Sequence, residues 1–124
     1  MRRSAFYRAV LTIALLPGLS ALAGCHSNHI ETTIENRTGA PVRLLEVDYP
    51  SASFGTDSIA PGASFHYRFQ VLGNGPIKLQ YTGPNEHPFQ VTGPQVDEHQ
   101  DGRMEIVLLP GGKAEFHPQL TSRP

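Results

Sequence analysis

The stretch from Ser64 to Val71 limits the fold most strongly, because its apolar and polar residues alternate without a break. Phe65, Tyr67, Phe69 and Val71 occupy every second position. In a β-strand such residues share one face, whereas a helix would spread them around its axis. The stretch therefore predicts a strand with one buried face.

Glycine and proline divide the chain after residue 25 into short β-rich segments, and no segment carries a helical apolar stripe. The predicted strands cover residues 30–35, 41–49, 64–71, 77–81, 88–92, 103–109 and 113–117, with at most one short edge strand within 50–59. Seven or eight short strands at this spacing are typical of an antiparallel β-sandwich. We predict an all-β, immunoglobulin-like sandwich, with a small barrel as the alternative.

Two pairs of neighbouring strands carry hairpin signals. Residues 30–35 and 41–49 flank a turn that contains glycine, and residues 64–71 and 77–81 flank a Gly-Asn-Gly-Pro turn. The second pair is the stronger prediction. Within residues 41–49 the apolar phase shifts between Leu44 and Leu45, which predicts a β-bulge or a strand covered on both faces.

The first 24 residues differ in character from the rest. Arg2, Arg3 and Arg8 form a basic start, and an apolar run follows from Ala9 to Leu22 before a group of small residues. This order is that of a secretory signal. The run is interrupted by Pro17-Gly18 and falls short of the roughly 20 residues of a membrane-spanning helix. A retained transmembrane helix is therefore the weaker interpretation.

Leu22-Ala23-Gly24-Cys25 resembles the lipobox of bacterial lipoproteins, with each of the four residues in its expected place. In that family the cysteine thiol is alkylated with diacylglycerol, signal peptidase II cuts before the cysteine, and the new amino group is usually acylated. The resemblance implies that residues 1–24 are removed and that Cys25 carries the membrane anchor, since stable attachment needs more than one acyl chain. An ordinary secretory signal, with Cys25 left as a free thiol, is the alternative.

The resemblance covers residues 1–25 only, and the lipidated cysteine with a short tether would occupy residues 25–29. The strand pattern predicts a β-sandwich domain at 30–117, and the end of the chain predicts a flexible tail at 118–124. His26, where an aspartate would retain a lipoprotein in the inner membrane, implies the periplasmic face of the outer membrane if the organism is Gram-negative. In such a protein no enzyme reads the glycosylation sequence Asn36-Arg37-Thr38, so we interpret it as turn chemistry.

Removal of the signal leaves 100 residues, enough for one small domain. They contain seven basic and eleven acidic residues, and this negative balance argues against binding to nucleic acid. No cysteine remains for a disulfide, so the core must stabilise the fold. The sequence indicates no cofactor.

Asp97, His99 and Asp101 form the densest cluster of metal-ligand side chains, and an extended segment would project all three to one face. They support an alternative function as a small metal-binding protein or metal-dependent enzyme. We instead expect a solvated acidic loop. The other histidines are scattered singly, and no Gly-x-Ser-x-Gly motif or other catalytic constellation is present.

The polar residues between the aromatic positions suggest a contact surface, for which the candidates are His66, Arg68, Lys78 and Gln80. We therefore predict a membrane-anchored, non-catalytic binding or accessory module of the cell envelope. Its expected partner is an envelope protein or the cell wall.

Overall fold

A computed structural model describes residues 28–122 of the 124-residue chain. The predicted signal, the lipobox with Cys25 and the tether up to residue 27 lie outside the described residues. The described part contains eight β-strands and one short 3-10 turn at Pro84–Glu86. Within it, no helix has the length and apolar character needed to cross a membrane. The prediction of an all-β sandwich with seven or eight strands is confirmed.

The strands, in chain order, are β1 (Ile30–Asn36), β2 (Val42–Tyr49), β3 (Ala52–Ile59), β4 (Ser64–Phe69), β5 (Gly75–Thr82), β6 (Pro88–Val96), β7 (Gln100–Leu109) and β8 (Lys113–Ser122). One sheet, called sheet A, has the order β4-β1-β7-β8, and the other, sheet B, has the order β3-β2-β5-β6. All neighbouring strands are antiparallel except β1 and β7, which are parallel. The immunoglobulin arrangement pairs strands B and E in one sheet and strands C and F in the other. The pairs β1–β4 and β2–β5 repeat these pairings, and β7 and β8 extend sheet A beside β1.

Both predicted hairpins are wrong. β1 pairs with β4 and β7 in sheet A, while β2 pairs with β3 and β5 in sheet B. Likewise β4 and β5 belong to different sheets, so the Gly-Asn-Gly-Pro segment carries the chain across the sandwich. The hairpins that form are β2–β3, β5–β6 and β7–β8. Alternation in a sequence indicates which face of a strand is buried and leaves the identity of its partner open.

The core lies between the two sheets and consists of apolar side chains from their inner faces, including Ile34, Val47, Leu79, Ile106 and Leu108. Phe69 and Val71 are buried as predicted, although β4 ends at Phe69. Tyr67 departs from the prediction because 41% of it is exposed. β4 is an edge strand, and the Tyr67 ring stacks at its flank on Phe54 with 4.3 Å between centroids.

The predicted irregularity in β2 is a β-bulge, which confirms the prediction. The register of β2 against β5 shifts between Arg43 and Glu46. Leu44 has a positive φ of 50° and is 58% exposed, whereas Leu45 is buried. A Cβ at Gly55 of β3 would clash with the carbonyl oxygen of Leu45. The bulge therefore requires glycine on the neighbouring strand.

Asn36 stabilises the connection from β1 to β2, and its side chain is fully buried. Its Nδ2 donates to the carbonyl oxygens of Ala40 at 2.8 Å and Ile59 at 2.9 Å. Its Oδ1 accepts from the Thr38 backbone N–H at 3.0 Å and from the Thr38 hydroxyl at 2.7 Å. The interpretation of this motif as turn chemistry is therefore confirmed.

Three predicted boundaries are corrected by the pairing of the strands. β8 does not end at residue 117: residues 118–122, which we assigned to a flexible tail, pair with β7 along its first half. β3 is a full eight-residue edge strand rather than a short one. The expected acidic loop at 95–102 is reduced to a turn, because β6 extends to Val96 and β7 begins at Gln100. Backbone pairing with β7 orders residues 118–122, which carry no strong strand pattern of their own.

His29 also belongs to the domain rather than to a free tether. Its backbone N–H lies 3.3 Å from Asp101 Oδ1, and its carbonyl oxygen accepts from Gly102 at 3.1 Å. Its Nδ1 lies 3.1 Å from Arg68 Nη2. The chain is therefore fixed to sheet A from His29 onward.

The sandwich has two ends built from different connections. The N-terminal end, where β1 begins, contains residues 50–51, 70–74 and 97–99, held together by bonds such as that from Leu72 N–H to Ser51 Oγ. The distal end contains the turns at 37–41, 60–63, 83–87 and 110–112. The two ends are separated by the length of β1, about 23 Å for seven residues.

Candidate functional site

The four predicted contact residues do not form one surface. His66 and Arg68 lie on β4 of sheet A, whereas Lys78 and Gln80 lie on β5 of sheet B. All four are exposed, and each pair alternates with residues that point to the core or the flank. The outer faces of a sandwich point in opposite directions, so the two pairs face opposite sides of the molecule. This corrects the prediction of a shared face.

The outer face of sheet A carries polar residues in cross-strand rows. In one row Glu31 of β1 lies between Arg68 of β4 and Arg103 of β7, and the Arg68 Nε lies 3.4 Å from Glu31 Oε1. In the next row Thr33 lies between His66 and Glu105, with 3.1 Å between Thr33 Oγ1 and His66 Nδ1. Exposed ion pairs of this kind contribute about 0–1 kcal/mol to stability. The rows therefore contribute little to stability, and their charged side chains are exposed on the outer face of sheet A.

β4 forms an exposed edge of sheet A. It is the terminal strand of sheet A, and its six residues contain no proline. The edge strands on the opposite flank, β6 and β8, contain prolines, which interrupt the row of backbone donors that a partner strand would need. The edge at β4 is therefore more open to strand addition than the edges at β6 and β8.

The acidic turn does not gather the three predicted metal ligands into a site. Asp97 donates its backbone N–H to Gln100 Oε1 at 2.9 Å, Asp101 Oδ1 accepts from His29, and His99 Nε2 lies 3.7 Å from Glu98 Oε1. Among residues 28–122, no group of three or more histidine, cysteine, aspartate or glutamate side chains is arranged to hold a metal ion. No observation in this turn favours the metal-dependent function.

A cavity of about 390 Å³ opens at the distal end of the sandwich. Its wall is formed by three turns, at residues 38–42, 83–87 and 109–112, together with the side chains of Tyr81 and Phe89. The turns bring together Pro41, Pro84 and Pro110, one from each. A volume of this size lies near the lower limit of small-molecule sites, which span about 300–1,000 Å³.

Tyr81 is the buried polar residue of this cavity. It is the last inward-facing residue of β5 and is only 4% exposed. Its hydroxyl is buried without a hydrogen-bond partner among residues 28–122. Burial raises the pKa of Tyr81 above its ordinary value. A buried hydroxyl without a partner costs about 1–3 kcal/mol, and a hydrogen bond from it to a ligand would recover part of this free energy.

Phe89 lies beside Tyr81, with ring centroids 5.3 Å apart. The His87 ring meets Phe89 edge-on at 4.6 Å. A Cβ at Gly112 would clash with Cδ1 of the Phe89 ring, and a Cβ at Gly83 would come within 2.6 Å of Cε2. The ring is therefore held between the backbones of two turns from different sheets, which fixes its position in the cavity wall.

The distal cavity was not predicted from the sequence. Tyr81 and Phe89 follow the strand alternation, which predicts core residues in preference to an open aromatic groove that would include Tyr81. The signal that accompanies the cavity is the Gly-Pro or Pro-Gly pair in two of its turns, at residues 83–84 and 110–111. Turn residues of this kind also occur at the other end of the molecule, so they do not identify a cavity before the strand order is known.

No protein-family model matches the chain, and no curated protein matches it significantly. Among solved structures the chain is similar to the NMR structure of a protein from Eubacterium rectale, with a TM-score of 0.54 and 13% sequence identity. The match covers 74% of this chain and 90% of that one. At this identity the similarity shows the fold alone.

Proposed function

We propose that the chain is a lipoprotein of the bacterial cell envelope, anchored through Cys25, that acts as a non-catalytic binding or accessory module. The complete lipobox at residues 22–25, after a basic start and an apolar run, supports the anchor. The negative charge of the remaining chain is consistent with attachment through lipid rather than through basic residues.

The fixation of His29 supports a defined orientation at the membrane. Only the chain from Cys25 to His29 separates the anchor from sheet A, and it spans at most about 14 Å. The N-terminal end of the sandwich would therefore face the lipid, and the distal end would face away from it. β4 ends at Phe69, beside Ile30, so its open edge would extend from the membrane side outward.

The observation that carries the proposed binding role is the position of His66 and Arg68 on the proline-free edge strand β4. A partner segment that adds to this edge would gain main-chain hydrogen bonds, while Arg68 and His66 beside it would set specificity. Attachment to the membrane raises the effective concentration of the module near other envelope components, so weak contacts suffice. The partner proposed is an envelope protein or the cell wall.

Crosslinking in intact envelopes tests this role with a matched pair of variants. Arg68→Glu reverses a charge beside the β4 edge, and Lys78→Glu reverses a charge on the outer face of sheet B. We expect Arg68→Glu to lower recovery of a defined partner by about fivefold, equivalent to about 1 kcal/mol, and Lys78→Glu to leave it unchanged. Circular dichroism of both variants checks that the fold is intact.

Equal loss in both variants would contradict a site at β4, and turnover of a substrate by the purified chain would contradict a non-catalytic role. The anchor is tested separately by Cys25→Ala. This variant should remain unprocessed by signal peptidase II and lack lipid, as measured by its mass. Normal processing and membrane retention would refute the lipobox interpretation.

A further inference from the structure

The side chains that form the distal cavity carry no formal charge. Within residues 28–122, no aspartate, glutamate, lysine or arginine lines it, and the polar side chains of its lining residues are those of Thr38, Tyr81, Asn85 and His87. The Thr38 hydroxyl is already engaged with Asn36 and Ala40. A charged ligand would lose its hydration in such a cavity without gaining an opposite charge.

One charged residue within the turns of this wall is itself paired. Glu86 lies in the 83–87 turn, and its Oε1 is 2.6 Å from Arg43 Nη1 on β2. The acid and the base therefore offset one another beside the cavity.

The interior offers one hydrogen bond and two aromatic surfaces. The Tyr81 hydroxyl is buried and unpartnered within the described chain, and the rings of Tyr81 and Phe89 stand 5.3 Å apart at 36°. Aromatic pairs interact best in offset or edge-on arrangements at centroid distances of about 4.5–7 Å, so a third ring can join them. A hydrogen-bond acceptor on that ring that reaches the buried Tyr81 hydroxyl would accept a hydrogen bond from it.

From these observations we infer that the distal cavity binds a compact, uncharged molecule with an apolar ring that packs against Phe89 and one acceptor for the Tyr81 hydroxyl. This site is separate from the β4 edge and goes beyond the proposed partner surface. It also does not depend on the lipid anchor. In the orientation proposed above, the cavity would open away from the membrane.

Fluorine NMR of the full chain in lipid nanodiscs tests the inference with four fluorobenzenes that differ in the substituent opposite fluorine. The probes are 4-fluorobenzamide, 4-fluorobenzoate, 4-fluorobenzamidine and 4-fluorotoluene, and empty nanodiscs correct for partition into lipid. We expect 4-fluorobenzamide to bind saturably with a Kd on the order of 1 mM, as suits a fragment of about ten heavy atoms. The two charged probes should bind at least about tenfold more weakly, because they are desolvated without compensation.

Variants assign the binding to the cavity. Tyr81→Phe should weaken 4-fluorobenzamide by about tenfold, the factor that corresponds to 1.4 kcal/mol, and leave 4-fluorotoluene unchanged. Ala40→Leu adds an apolar group to the cavity wall and should abolish binding of both. Ala60→Leu adds the same group to an exposed turn at the same end and should have no effect.

Three results would overturn the inference: no saturable signal above empty nanodiscs, equal or tighter binding of a charged probe, or no loss in Tyr81→Phe. The Tyr81→Phe result is decisive even if Ala40→Leu fails to fold. Loss of partner crosslinking in Arg68→Glu leaves these measurements unaffected, so failure of the cavity site and failure of the proposed function are distinguishable.

Discussion

At the distal end of the sandwich, Asn36 and Tyr81 both have buried polar side-chain atoms, and the two residues differ in their hydrogen bonds. The Asn36 amide makes four hydrogen bonds that connect β1, the following turn and the end of β3. The Tyr81 hydroxyl has no partner among the described residues, and Tyr81 is one of the residues that line the cavity. A buried polar group with all its hydrogen bonds made, such as the Asn36 amide, stabilises the structure. One left without partners beside a cavity is available to a ligand.

The largest effect should come from Asn36→Ala. The substitution removes four hydrogen bonds and leaves the Ile59 carbonyl oxygen and the Thr38 N–H without the Asn36 side chain, so we expect the free energy of unfolding to fall by about 3–5 kcal/mol. Asn74→Ala is the control, because this exposed asparagine accepts one bond from Glu98 and should cost less than about 1 kcal/mol. Urea unfolding measures both. Equal losses would show that the Asn36 network is not structural.

Gly112→Ala should have the next largest effect, and Gly111→Ala is its matched control. Both glycines have a positive φ, 79° at Gly111 and 76° at Gly112, so each alanine should cost about 1–2 kcal/mol for its backbone conformation. A Cβ at Gly111 meets open space, whereas one at Gly112 meets the Phe89 ring. We therefore expect an additional loss of about 1–3 kcal/mol at Gly112. Thermal unfolding that gives the same loss for both would contradict the tight contact at Phe89.

A smaller effect, of opposite sign, is expected for Tyr81→Phe. The change removes a buried hydroxyl that has no partner, so stability should be unchanged or should rise by up to about 1 kcal/mol. Thr32→Val makes the same test in β1, where the buried Thr32 hydroxyl also lacks a partner among residues 28–122. A loss above about 1 kcal/mol in chemical denaturation of Tyr81→Phe would mean that its hydroxyl is satisfied in the native state.

The smallest effect concerns pH and is confined to alkaline solution. Burial raises the pKa of Tyr81 above the value of about 10 that tyrosine has in the unfolded chain. The folded state then holds this proton more tightly, so the contribution to stability is fully present below about pH 10 and is lost as pH rises through the folded-state pKa. Tyr81→Phe should reduce this loss, measured by unfolding at a series of pH values. Part should remain, because burial, followed by the charge of Tyr67, also raises the pKa of Tyr49.

The class of fold could be predicted because it depends on local patterns. Alternation in β4 and β5 and the absence of a helical stripe indicate strands, and glycine and proline mark most of the connections. The bulge at Leu44 was also predictable, since a shift of phase in a strand has few structural solutions. The turn role of Asn36 likewise follows from chemistry within a few residues.

Strand partners and sites were not predictable in the same way. His66 and Arg68 resemble Lys78 and Gln80 as polar members of alternating strands, and only the assignment of β4 and β5 to different sheets separates them. Residues 118–122 carry no strong strand pattern and are ordered by pairing with β7. Tyr81 follows the same alternation as the core aromatic residues. Its position beside a cavity depends on three turns that are distant in the sequence and come together at the distal end.

The lipobox at residues 22–25 predicts the address of the protein, and alternation predicts its all-β class. These features rest on short segments, whose side-chain order alone carries the information. The tertiary structure alone decided the parallel pairing of β1 with β7, the open edge at β4 and the cavity beside Tyr81. Each joins residues that are far apart in the chain, and their proximity depends on how the whole set of strands buries its apolar faces together.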